Sequence, residues 1–111
     1  PPVQENVNIG MTASTVIEKY ALDAVSSSAT STTVTLTNNT ASSVSVQYIL
    51  AAYTADGQMV ASSTVASDLQ SQKSIKLTVQ YSAKDQVSWV SAFVLQAGTL
   101  QPLRAVWKKA L

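Results

Sequence analysis

The residues best suited to recognition chemistry in this chain are its aromatic rings and amides. A Tyr or Trp ring can stack on the apolar side of a pyranose while amides, hydroxyls or carboxylates nearby fix the sugar's orientation. Of the chain's seven aromatics (Tyr20, Tyr48, Tyr53, Tyr81, Trp89, Phe93 and Trp107), four are placed to serve. Tyr53 stands just before an Asp56-Gly57 turn, Tyr81 lies in a later turn, and Trp89 and Trp107 fall in the last two apolar stretches. Gln58, Gln80, Gln86 and Gln96 lie near them in sequence and could supply amide contacts. Tyr48 shares the register of Val46 and Leu50, which assigns it to the core.

Other chemistries lack their reagents. The chain has no His and no Cys, so it holds no imidazole base, Ser-His-Asp relay, thiolate nucleophile or Cys-based metal site. The acids Glu5, Glu18, Asp23, Asp56, Asp68 and Asp85 are spread singly, and no Lys has Ser three residues before it. With 3 Gly in all, no phosphate-cradling loop can be built. The expectation is a protein without catalysis and without cofactor or metal.

The 111 residues suffice for one hydrophobic core to carry these side chains. Charged residues make up 12% of the chain, about half the usual share, and Ser and Thr take up about a quarter. A net charge of +1 and a single basic cluster, Arg104 with Lys108 and Lys109, argue against nucleic acid as a partner. No apolar run nears the length of a membrane span, and the polar start, Pro1 to Asn6, lacks the apolar region of a signal peptide.

Residues 1–12 read as linker and residues 13–111 as one domain. Val34 and Leu36 alternate with Thr33, Thr35 and Thr37, the period of a strand with one buried face. Asn38-Asn39-Thr40 then turns. Val44 to Ala52 forms a long strand whose second face becomes apolar at Ile49 and Ala51. Asp56-Gly57 predicts a type I′ hairpin, because both residues tolerate positive φ. Met59, Val60 and Val65 belong to the return, and Ile75, Leu77 and Val79 alternate cleanly. Val87 to Leu95 reads as a central strand, and Leu100 to Trp107 as the last, with Pro102 at an edge. Residues 16–25 fit either a helix or a strand, and the context favours strand. About seven strands then give an all-β, antiparallel immunoglobulin-like or fibronectin-III-like sandwich.

Three stretches, Val34 to Thr40, Val44 to Gly57 and Val90 to Leu103, resemble small immunoglobulin-like accessory modules. Such modules occur in Gram-positive secreted and cell-surface proteins, often beside glycoside hydrolases or S-layer-type repeats. The resemblance spans residues 30–105 and rests on structural motifs. Leu95 stands where the family often has Trp, and the turn Leu69-Gln70-Ser71-Gln72 lacks the family's usual Gly. The resemblance implies an extracellular, non-catalytic module that spaces, stabilises or presents a neighbouring domain. The alternative it leaves open is a carbohydrate-binding module using Trp89, Trp107, Tyr53 and Tyr81, with polysaccharide as partner. Lys73, Lys76, Lys84 and Pro102 would guard the sheet edges and keep the module monomeric.

Overall fold

Alternation of apolar and hydroxyl side chains sets the strands, and the computed structural model describes them over residues 18–111. They are β1 (Tyr20–Ser27), β2 (Ser31–Asn38), β3 (Val44–Thr54), β4 (Met59–Leu69), β5 (Ser74–Gln80), β6 (Val87–Gln96) and β7 (Trp107–Ala110). A 3-10 turn, Ala83–Asp85, precedes β6 and is capped reciprocally by Ser82 and Asp85. One sheet has the order β1-β2-β5 and the other β4-β3-β6-β7, every pair antiparallel. The expected all-β sandwich is thus present, with β6 inside its sheet. Because β4 pairs with β3 instead of β5, the sheets divide three and four in the fibronectin-III-like manner.

The core forms where the two sets of inward residues meet. Val34, Leu36 and Val79 from the three-stranded sheet face Val46, Leu50, Ala52, Val90, Ala92 and Val94 from the other, all essentially without solvent exposure. Tyr48 lies among them, fully buried. Its phenol crosses the sandwich and donates to the Val34 carbonyl at 2.9 Å, tying β3 to β2. Burial pushes this phenol well above the usual tyrosine range, because the phenolate would lose its hydration.

A second tie is polar. Asn38, at the end of β2, is wholly buried yet uses every polar atom of its side chain. Its Nδ2 donates to the carbonyls of Ser42 at 2.9 Å and Leu69 at 3.0 Å. Its Oδ1 accepts from the Thr40 N–H at 2.9 Å and the Thr40 hydroxyl at 2.7 Å. Its backbone N–H and C=O pair with Lys73 and Gln72. One residue therefore pins the ends of β2 and β4, the start of β5 and the intervening turn.

Two local expectations need correction. The Asp56-Gly57 hairpin forms, but it is not type I′, since Gly57 has positive φ (90°) and Asp56 does not. The Gly57 N–H donates to the Thr54 carbonyl and the Thr54 N–H to Gln58, so a tight turn over Thr54–Gly57 ends in a glycine bulge. The last strand begins at Trp107, not Leu100. Leu100 adopts φ 58° in a turn closed by its N–H on the Gln96 carbonyl. Pro102, lacking an N–H, makes only an isolated bridge to Leu95. Arg104 then draws the segment aside, donating to the Tyr20 carbonyl at 2.9 Å and pairing with Glu18 at 3.3 Å. Residues 20–25 are strand, whereas the linker expected over residues 1–12 and positions 16 and 17 lie outside the described residues.

Candidate functional site

The outer face of the four-stranded sheet collects what the sequence distributes. Position by position, β3 presents Ile49, Ala51 and Tyr53 outward, and β6 sets Phe93, Ser91 and Trp89 directly beside them. None of these side chains joins the inner core cluster. Ala51 and Ser91 are nonetheless almost fully buried, since they lie between the larger groups on either side. The result is an apolar layer outside the sandwich, extended by Leu95 on β6 and edged by Gln47 and Thr64.

Tyr53 and Trp89 form the centre of an aromatic row. Their ring centroids are 5.4 Å apart with planes 13° apart. Parallel rings so close cannot lie side by side in one plane, so they stack with a lateral offset. The Lys108 ammonium sits 4.3 Å from the Trp89 ring centre. Because β3 and β7 flank β6 on opposite sides, Tyr53 and Lys108 approach Trp89 from opposite sides. Stacking adds about 0.5–1.5 kcal/mol beyond area burial, and an exposed cation–π contact about 0.5–1 kcal/mol. Met59, paired with Tyr53 across β4, continues the row and is 57% exposed. With both flanks of Trp89 engaged, the row presents ring edges and side-chain tips.

The other two candidates lie elsewhere. Trp107 pairs with Ala92 on the inward register and packs on the core. Tyr81 also packs on the core, and its hydroxyl meets Thr32 Oγ1 at 2.8 Å and donates to the Ser28 carbonyl at 3.1 Å. The structure thus brings Tyr53 and Trp89 together and separates Trp107 and Tyr81 from them. Two of the four glutamines lie apart as well. Gln80 belongs to β5 in the other sheet, and Gln96 is at the far end of β6 from Trp89, about 23 Å along the strand. The basic cluster disperses too: Arg104 is spent on Tyr20 and Glu18, and Lys108 covers Trp89.

Ile49, Phe93 and Lys108 belong to this surface although none is among the four candidate ligand-binding residues. The sequence signal that points to it is the loss of alternation in β3 at Ile49 and Ala51. Among the described residues no cavity opens, no three His, Cys, Asp or Glu side chains gather as metal ligands, and no helix is long and apolar enough to cross a membrane.

No protein-family model matches the chain, and no curated protein matches it. Solved structures do. Bacteroides uniformis β-glucuronidase 2 aligns with a TM-score of 0.51 and 10% identity, over 84% of this chain and 13% of that one. A candidate β-galactosidase from Bacteroides fragilis aligns with a TM-score of 0.51 and 18% identity, over 84% of this chain and 16% of its own. A β-glucuronidase of glycoside hydrolase family 2 reaches 0.48 with 14% identity, over 83% of this chain and 11% of its own. The chain matches a small part of each. At such identities the likeness establishes the sandwich fold.

Proposed function

We propose that this chain is a non-catalytic accessory module of an extracellular bacterial, carbohydrate-active protein. Its task is to stabilise or present a neighbouring domain, which it contacts through the outer face of the four-stranded sheet. The observation that carries the proposal is the apolar layer of Ile49, Tyr53, Trp89, Phe93 and Leu95 outside the core. A freely solvated spacer has no need of it, since the outward positions of β2 and β5 on the opposite sheet carry Thr, Ser and Lys. The sugar-processing names of the aligned structures, and the small share of each that aligns, support a modular setting of this kind.

The test is made in the protein that contains the module. Phe93→Lys should lower the melting temperature of the adjoining domain by several degrees, whereas Thr35→Lys, on the opposite sheet, should leave it unchanged. Equal responses would remove the docking role. The juxtaposition of Tyr53 and Trp89 favours a second reading, a carbohydrate-binding module. Retention on an insoluble polysaccharide that disappears with Trp89→Ala and with Tyr53→Ala would establish that reading instead.

A further inference from the structure

The four sheet edges are unequally defended. β1 is interrupted by a bulge at Val25 and carries Asp23. β5 carries Lys76 and follows Lys73. β7 is 4 residues long and includes Lys108 and Lys109. Bulges, short strands and lysines are the usual means by which an edge avoids pairing with another chain. β4 has few of them. It runs 11 residues, without Pro, Lys or Arg, and its sole charge is Asp68 near one end. A bulge at Val60 leaves Ala61–Leu69 in regular register with β3. Among the described residues, no backbone hydrogen bond joins β4 to anything on its other side.

We propose that β4 is a self-association edge, beyond the docking role of the sheet face. Two copies pair antiparallel through β4 about a twofold axis at Thr64. The two four-stranded sheets then continue into one of eight strands. Ser62 of each copy lies opposite Ala66 of the other, and Ala61 opposite Ser67, so small side chains meet at the seam. Asp68 lies opposite Val60, and the two Asp68 carboxylates sit at opposite ends of the seam, about 27 Å apart. A parallel pairing would instead set the two Asp68 side chains against each other. The twofold axis closes the assembly at two copies. A single strand pair is a small interface, so the dimer is weak and depends on concentration.

Sedimentation equilibrium of the 111-residue chain reads this directly. Average mass should rise from 11.7 kDa toward twice that value as concentration increases from about 10 μM to about 1 mM. Ser62→Lys combined with Ala66→Lys should hold the chain monomeric throughout, because lysines then face each other at the seam. Ser62→Glu combined with Ala66→Lys should dimerise at least as well as the parent, because each acid faces a lysine of the other copy. Thermal melts establish that both double variants fold, as expected for exposed positions. A parent chain that stays monomeric to about 1 mM, or a dimer indifferent to the charge pattern, overturns the proposal. So does a chain that dimerises only after removal of residues 1–17, which would assign the edge to its own N-terminal segment.

Discussion

The two outer faces of the sandwich are built on the same strand geometry and finished with opposite chemistry. On the three-stranded sheet, outward positions are Thr33, Thr35 and Thr37 from β2 beside Ser74, Lys76 and Thr78 from β5. Hydroxyls there bond in cross-strand pairs, Thr33 with Thr78 at 2.7 Å and Thr37 with Ser74 at 2.8 Å. On the four-stranded sheet, the corresponding positions carry Ile49, Tyr53, Trp89 and Phe93. Low charge is common to both faces, so charge does not distinguish them. The difference shows that the hydroxyl-rich composition belongs to one outer face and gives way to apolar groups on the other.

The largest test asks whether the faces stand or fall together. Asn38→Ala leaves the Ser42 and Leu69 carbonyls and the Thr40 N–H without this partner. Stability should drop by about 2–4 kcal/mol in urea melts. Far-ultraviolet circular dichroism and Trp fluorescence should report the same midpoint; separate midpoints would mean that the sheets unfold independently.

Tyr48 probes the tie between the sheets through pH. Its folded pKa is raised, so the folded state keeps a proton that the unfolded chain gives up above about pH 10. The stability this phenol contributes is fully present below pH 10 and is lost as pH rises further, by about 1.4 kcal/mol per unit. Urea melts from pH 9 to 11 should show this slope as the difference between the parent and Tyr48→Phe. Parallel curves would contradict it.

The faces themselves are compared by paired substitutions. Phe93→Ala on the apolar face should cost about 1–2 kcal/mol, since its ring is partly buried even in the isolated chain. Thr33→Val with Thr78→Val removes both members of a hydroxyl pair and should stay within about 0.5 kcal/mol. Equal losses would erase the energetic distinction between the apolar face and the hydroxyl face.

Much of this fold is legible in period-two alternation. β2 and β5 show it throughout, and β3 shows it until Ile49, where its failure marks the second apolar face. Legibility stops where two local solutions share one sequence. Asp-Gly serves a type I′ turn and a glycine bulge equally, and the choice depends on how β3 and β4 twist. Leu100 to Val106 has the apolar content of a strand, but Pro102 offers no N–H and Arg104 is held by residues more than eighty positions away. The aromatic row depends on register. That Tyr53 meets Trp89, and Lys108 covers it, follows only once β3, β6 and β7 are aligned.

Asn38 has one more consequence, for secretion through a glycosylating host. Asn38-Asn39-Thr40 has the form of an N-glycan acceptor, and Nδ2 is the atom to which the sugar would be joined. In the folded module that nitrogen is buried and both of its hydrogens are engaged. A glycan could enter only while the chain is open, and its bulk would then keep β2 and β4 from closing. Glycan occupancy at Asn38 would therefore act as a clock, recording how long each molecule remained unfolded.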